Sequence, residues 1–225
     1  MTDKITPGQR VVIIEDLRLV AEFLAHHCTE QGLEVVEICG TCAEGLAAVR
    51  RLFPNLVLLD ISLPDGDGLA IAKLLLAEQP STKLLAISSH CDPWTMLQVQ
   101  RCGMHGFVDK NEQRRDILSE AINAVLAGRV YYTPVVNESS ATLRRDPKAF
   151  FRLLSDYEAR ILTLIGESRN DEEIAAIMGV STTTIQSRRR DIMQKLDVHT
   201  TPKLIHYAIV NGLTRADHLG RPKPV

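Results

Sequence analysis

The chain has 225 residues, of which 45% are hydrophobic and 24% charged, and its formal net charge at pH 7 is −2. This composition is ordinary for a globular protein, excludes a disordered or fibrous chain, and allows two modest domains. No stretch approaches the roughly 20 apolar residues of a membrane helix, and the polar residues 1–4 do not resemble a signal-peptide core. We therefore expect a cytoplasmic protein without a membrane partner.

Residues 8–127 alternate short apolar runs with helix-length amphipathic segments. The runs predict strands at 10–15, 34–38 and 56–60, the segments predict helices at 17–31, 43–53 and 67–79, and two further pairs end near Ala127. This alternation is typical of an α/β domain with a doubly wound, flavodoxin-like parallel sheet. We predict five strands, with helices on both faces.

Polar side chains follow four of these strands where each strand ends. They are Glu15, Asp16, Asp60, Ser88 and Lys110. The carboxyl ends of parallel strands meet at one edge, so the three carboxylates can hold Mg2+ there. Asp60 is then the candidate nucleophile toward a phosphoryl group, with Lys110 and Ser88 contacting its oxygens. A single Asp after a strand is more often a loop residue or helix cap, but the convergence of five groups favours a site.

The segment after the third strand reads Asp60-Ile61-Ser62-Leu63-Pro64-Asp65-Gly66-Asp67-Gly68. With the acidic pair, Ser88 and Lys110, it resembles the receiver domain of bacterial two-component response regulators. The resemblance implies that Asp60 is the phosphoacceptor and that the backbone carbonyl of Ser62 is a metal ligand. It also implies that Phe107, where Tyr is commoner, is the switch aromatic that moves inward as Ser88 turns toward the phosphoryl group.

Residues 128–148 lack periodicity and contain Pro134 and Pro147, so we predict an interdomain linker there. Residues 149–215 have helical periodicity and should form a small all-α domain. The halves differ in charge: residues 1–127 carry 11 Lys and Arg against 17 Asp and Glu, and residues 128–225 carry 15 against 11. A basic second half suits a polyanionic partner, although this asymmetry alone is weak evidence.

Start and stop signals divide this second domain into helices. Capping boxes begin at Ser155 and Asn170, Gly179 allows a tight turn, and Ser181 can cap a further helix over about 182–196. A helix, a glycine turn and a second helix predict a helix-turn-helix, in which the second helix lies in the DNA major groove.

The second helix carries the side chains that we expect to contact double-stranded DNA. They are Thr183, Thr184, Gln186, Ser187, Arg188, Arg189, Arg190 and Lys195. Arg can bind phosphate or the guanine edge, and Gln can pair with adenine. A run of arginines alone more often forms a solvated basic face, but the caps and the turn favour DNA binding.

Residues 154–213 resemble the LuxR-type DNA-binding domain of NarL/FixJ response regulators, through the stretch at 192–198 and the closing Gly212-Leu213. The resemblance implies a transcription regulator, expected to be a homodimer, that is controlled by a sensor histidine kinase through Mg2+-dependent phosphorylation. Gln186, Arg188 and Thr201 depart from the usual Lys, His and Arg, so sequence preference does not transfer.

Two alternatives remain open. One is a regulator that binds DNA without phosphorylation and uses the receiver for dimerisation. The other is a Mg2+-dependent aspartyl phosphatase or phosphotransferase of the haloacid-dehalogenase type, which would need a second Asp where Ser62 stands. We expect no enzyme activity beyond slow self-dephosphorylation. Cys39 and Cys42 form a C-x-x-C pair without the second pair that a zinc site needs.

Overall fold

The computed structural model describes residues 8–89, 91–112, 114–133 and 150–214. The chain divides into two compact units, a mainly α/β unit of residues 1–91 and 97–137 and a mainly helical unit of residues 92–96 and 138–225. In the α/β unit the strands are β1 (Arg10–Ile14), β2 (Glu34–Cys39), β3 (Leu56–Leu59), β4 (Ser62–Leu63), β5 (Gly66–Asp67), β6 (Lys83–Ser88), β7 (Gly106–Asp109) and β8 (Tyr131–Tyr132).

The main sheet has the order β2-β1-β3-β6-β7-β8, and every neighbouring pair in it is parallel. Strands β4 and β5 form a small antiparallel ribbon beside it. The helices between the strands are α1 (Arg18–Glu30), α2 (Cys42–Leu52), α3 (Gly68–Glu78), α4 (Pro93–Cys102) and α5 (Arg115–Leu126). This architecture confirms the predicted doubly wound fold.

The central strands are apolar along their whole length because helices cover both faces of the sheet. In β1, Val11 and Ile13 join the core that contains Leu24 of α1 and Ile122 of α5. On the other face, a methyl group at Gly45 of α2 would clash with the side chain of Ile14. Alternate residues of one strand therefore pack against different helices, which explains the continuous apolar runs in the sequence.

The sheet has six strands rather than the predicted five. Strand β8 pairs with β7 so that Tyr132 lies opposite Phe107, and it lies in the segment that we had predicted as linker. Two residues are too few to show strand periodicity, and Gly128, at φ 77°, turns the chain back toward the sheet within a few residues. The predicted linker beyond residue 133 lies outside the described residues.

The helical unit contains α6 (Phe150–Leu153), α7 (Asp156–Gly166), α8 (Asp171–Met178), α9 (Thr182–Lys195) and α10 (Thr201–Val210). The capping boxes of Ser155 and Asn170 both form, Gly179 has φ 67°, and Ser181 accepts a hydrogen bond from the Thr184 amide. The predicted helix-turn-helix is thus present in α8 and α9. None of the described helices is long and apolar enough to span a bilayer.

Candidate functional sites

The carboxyl ends of β1, β3, β6 and β7 bring the predicted polar residues together. The Asp60 amide donates to the Ile14 carbonyl at 2.8 Å, and the Lys110 amide donates to the Ser88 carbonyl at 2.9 Å. Because these backbone hydrogen bonds continue the sheet just past the strands, they fix the relative heights of the groups that follow. One oxygen from each of Glu15, Asp16 and Asp60 lies within 4.8 Å of the others.

Lys110 is the cation of this pocket. Its Nζ lies 2.6 Å from Glu15 Oε2 and 2.8 Å from Asp60 Oδ2, and the Glu15 and Asp60 side chains are only 1% and 6% exposed. Burial alone would lower the pKa of Lys110, but hydrogen bonds and charge from the two carboxylates outweigh it and raise that pKa. Lys110 therefore stays charged, although one ammonium cannot balance three carboxylates.

Backbone amides donate to the second carboxylate oxygens of Asp60 and Glu15. The second oxygen of Asp60, Oδ1, accepts from the Ser62 amide at 3.0 Å, and Glu15 Oε1 accepts from the Leu17 amide at 3.2 Å. Burial raises the pKa of Glu15, and Lys110 offsets that rise only in part. Asp16 is exposed at the mouth of the pocket. A group of oxygen ligands with excess negative charge fits a hard divalent cation such as Mg2+.

The loop after Asp60 is held by close packing and by helix caps. A methyl group at Gly68 would clash with the Asp60 carbonyl oxygen and lie 2.7 Å from the Ile61 Cα, so α3 can begin here only with glycine. Asp65 accepts from the amides of Cys42 and Ala43 at 2.7 and 3.0 Å, and thereby joins the loop to the start of α2. These contacts hold the loop in one conformation beside Asp60.

The same packing argues against a redox role for the C-x-x-C pair. Burial raises the pKa of the Cys39 thiol to about 11, and burial together with Asp65 raises that of Cys42 to about 12. The thiolate is the reactive form of cysteine, and at neutral pH both groups are overwhelmingly protonated.

Ser88 and Phe107, the predicted switch residues, are both fully buried. Ser88 ends β6 beside the pocket, and Phe107 lies in β7 with its side chain inside the unit. The structure therefore has the aromatic ring in the inward position. Their movement on phosphorylation stays a prediction.

Helix α9 presents a polar face to solvent. Thr183, Gln186, Ser187 and Arg190 are exposed and follow the spacing i, i+3, i+4 and i+7, so they share one side of the helix. Gln194 is exposed and lies four residues beyond Arg190, which extends the face. The sequence analysis missed Gln194, although its spacing from Arg190 was a sufficient signal. We call these five residues the polar face of α9.

The other predicted DNA contacts have partners within the helical unit. Arg189 donates to Asp171 at 3.0 and 2.5 Å, and Lys195 Nζ lies 2.7 and 2.8 Å from the two Glu158 oxygens. The structure thus does not place these two on the polar face. The Thr184 hydroxyl lies 2.8 Å from the Ser181 hydroxyl at the helix start. Arg188 is exposed, with Nη1 3.6 Å from Asp191 Oδ2.

Comparisons with known families agree with this division of the chain. The family described as response regulator receiver domain matches residues 11–122, and the family described as bacterial regulatory proteins, luxR family, matches residues 152–208. The first match contains all the pocket residues, and the second contains the helix-turn-helix.

Individual relatives span both units. The oxygen regulatory protein NreC of Staphylococcus carnosus is 32% identical over 193 residues, which cover 79% of this chain and 87% of that protein. NreC of Staphylococcus aureus strain JH9 is 31% identical over 190 residues, with the same coverage. Among solved structures, one similar fold is RcsB from Salmonella enterica serovar Typhimurium, bound to the promoter P1flhDC in the presence of the phosphomimetic BeF3−. Its TM-score is 0.64 at 22% sequence identity, and the match covers 89% of this chain and 97% of the RcsB chain. That likeness concerns the fold.

Proposed function

Since this chain belongs to the two-component response regulators that join a receiver domain to a luxR-family regulatory domain, we propose that Asp60 is its phosphoacceptor. The observation that carries the proposal is the pocket in which Asp60 lies between Lys110 and the Ser62 amide, beside Glu15 and Asp16. In this pocket the negative charge exceeds the positive charge around the buried Asp60 carboxylate. The same pocket argues against a phosphatase of the haloacid-dehalogenase type, because Ser62 offers no carboxylic acid to protonate a leaving group.

We assign the metal ligands to Glu15, Asp16, Asp60 and the backbone carbonyl of Ser62. A bound Mg2+ would offset the carboxylate charge as the phosphoryl group approaches. An Asp60 oxygen attacks phosphorus, the P–N bond of a phosphohistidine donor breaks, and its electron pair leaves on the imidazole nitrogen. Lys110 and the Ser88 hydroxyl then contact the phosphoryl oxygens.

Hydrolysis of the aspartyl phosphate should be slow. Water must attack the phosphorus, and the carboxylates around it repel hydroxide and are themselves needed as metal ligands. Lys110 and Ser88, which we assign to contacts with the phosphoryl oxygens, stabilise the aspartyl phosphate and do not activate water. The phosphorylated form can therefore persist long enough to act as a signal.

The helical unit supports a DNA-binding function through the polar face of α9. Gln186 and Arg190 can pair with base edges in the major groove, and Thr183 and Ser187 can donate to phosphates or bases. Arg188, exposed beside this face, is suited to a phosphate contact. A two-fold dimer would place two such helices on half-sites about one helical turn apart, and a sensor histidine kinase in the cytoplasm would supply the phosphoryl group.

A second candidate is DNA binding that does not depend on phosphorylation. It is favoured by one observation, the complete burial of Phe107. In the family that this sequence resembles, the inward aromatic belongs to the switched state. On this alternative, the receiver serves as a dimerisation module and Asp60 has no regulatory role.

The experiment is intact mass spectrometry of the full-length protein and of Asp60→Asn after incubation with Mg2+ and acetyl phosphate. We expect one added phosphoryl group in the wild type, none in Asp60→Asn, and none in the wild type when EDTA replaces Mg2+. Addition to both proteins would place the phosphoacceptor elsewhere and contradict the assignment.

A further inference from the structure

We propose that Asp171 is a positioning residue for DNA recognition. It holds Arg189 against the first helix of the helix-turn-helix, so that Arg189 orients the recognition helix and makes no contact with DNA. This inference rests on the proposed DNA-binding function and concerns a residue outside the recognition helix.

The two side chains form a close and largely buried ion pair. Arg189 Nε and Nη2 both donate to Asp171 Oδ1, at 3.0 and 2.5 Å. The Arg189 side chain is 15% exposed and that of Asp171 is 21% exposed. Two donors on one acceptor fix the guanidinium plane, whereas a single long contact would let it rotate. Arg189 is therefore not free to extend toward a phosphate without losing both hydrogen bonds.

The position of Arg189 on α9 explains why it points inward. Ile185 lies four residues before it, Ile192 lies three residues after it, and both are fully buried. Residues three and four apart share a helix face, so Arg189 belongs to the side that packs on the domain core. Arg190 is one position on, about 100° around the helix, and is exposed on the polar face. Consecutive arginines thus have different roles.

Asp171 is the first residue of α8, directly after the Asn170 cap. Its pair with Arg189 joins the start of α8 to the middle of α9, across the packed interface of the two helices. Apolar contacts between helices are non-directional, whereas a two-point hydrogen-bonded pair fixes one rotation of α9 about its axis. That rotation decides which side chains of the polar face meet the base edges. Asp171 should therefore affect the choice of sequence more than overall affinity.

The test measures DNA affinity of the full-length protein as a function of salt. The probes are a duplex selected from a random library by the wild type and a random-sequence duplex of equal length. The variants are Arg189→Met and Asp171→Asn, with Arg190→Met as the matched control on the exposed face. Circular dichroism checks that each variant keeps its helix content.

For Arg189→Met and Asp171→Asn we expect the ratio of selected to random affinity to fall about tenfold while the salt slope stays that of the wild type. For Arg190→Met, loss of one phosphate contact would reduce the salt slope by about 0.9, and loss of a base contact would leave the slope unchanged but lower the affinity for the selected duplex.

Three results would overturn the proposal. One is a salt slope for Arg189→Met that is lower by about 0.9 on both duplexes, because that identifies a phosphate contact. Another is tighter binding of Asp171→Asn to random DNA, which would mean that Asp171 restrains an arginine able to bind phosphate. An unchanged affinity ratio in both variants would also refute it. If the wild type selects no duplex from the library, the proposed DNA-binding function itself fails, which is a distinct outcome.

Discussion

Ion pairs in the two units of this protein have different charge balances. In the receiver pocket, Lys110 lies between Glu15 and Asp60 with Asp16 close by, so negative charge exceeds positive charge. In the helical unit, Arg189 faces Asp171 and Lys195 faces Glu158, so each pair is balanced. A balanced pair satisfies its own members and holds two helices together. A cluster with excess charge is costly without a ligand, and that excess supports our proposal that the pocket binds a cation.

The largest loss of stability should come from Lys110→Ala, which changes the charge balance of the pocket. Removing the ammonium that lies between Glu15 and Asp60 should lower the free energy of unfolding by about 3 kcal/mol without Mg2+, the low end for a broken buried pair because the neighbouring Asp16 is exposed to water. Added Mg2+ should recover more stability in the variant than in the wild type, since it then supplies all the positive charge. Urea denaturation with and without Mg2+ measures both effects.

Lys73→Ala is the matched control for that experiment, because Lys73 is exposed on α3. Its unfolding free energy should stay within about 0.5 kcal/mol of the wild type. An equal loss in the two variants would show that Lys110 does not balance the pocket.

Smaller losses of stability are expected when one glycine in each unit is replaced by alanine. Gly68→Ala places a methyl group against the Asp60 backbone, and this overpacking should cost about 2 kcal/mol. Gly179→Ala meets nothing within 4 Å and bears only the strain of a positive φ, about 1 kcal/mol. Gly68→Ala should also slow phosphorylation by acetyl phosphate, while Gly179→Ala should not. Equal phosphorylation rates in both would mean that the Asp60 loop need not be rigid.

The smallest effect should appear in the pH dependence of the helical unit. Burial would raise the pKa of Glu158, but hydrogen bonds from Lys195 and Ser155 outweigh it and lower that pKa in the folded domain. The stabilisation is therefore complete above the ordinary value of 4.5 and is lost as the pH falls through the lower folded value. With Lys195 partly exposed, it should amount to at most about 1 kcal/mol.

Amide hydrogen exchange across α7, compared between the wild type and Glu158→Gln at each pH, measures this loss. Protection in the wild type should approach that of Glu158→Gln as the pH falls below 4.5. A difference between the two proteins that does not change with pH would show that the carboxylate charge is not the cause.

The contrast also explains what could be predicted from the sequence. The pocket was predictable because parallel strands bring their carboxyl ends to one edge, so Asp60 and Lys110 could be placed together from strand ends alone. The roles of Arg188, Arg189 and Arg190 could not be separated in the same way. Asp171, the partner of Arg189, is 18 residues away, and the pair depends on how α8 packs on α9.

Local signals explain the other differences. The capping boxes at Ser155 and Asn170 were predictable because both partners of each box lie within four residues. Strand β8 was missed because two residues give no period, and its place depends on the free edge of β7. Gly68 belonged to the segment that resembles the receiver family, but the requirement for glycine there, the close approach of α3 to the Asp60 backbone, exists only in three dimensions.

The most direct test of the account is the affinity of the full-length protein for the selected duplex, measured with and without Mg2+ and acetyl phosphate. Wild-type protein whose phosphorylation is verified by mass should change its affinity by about 5- to 150-fold, the usual range of coupling between two sites. Asp60→Asn should show no change under the same conditions. Unchanged affinity in fully phosphorylated wild type, or an equal change in Asp60→Asn, would contradict the claim that Asp60 controls DNA binding.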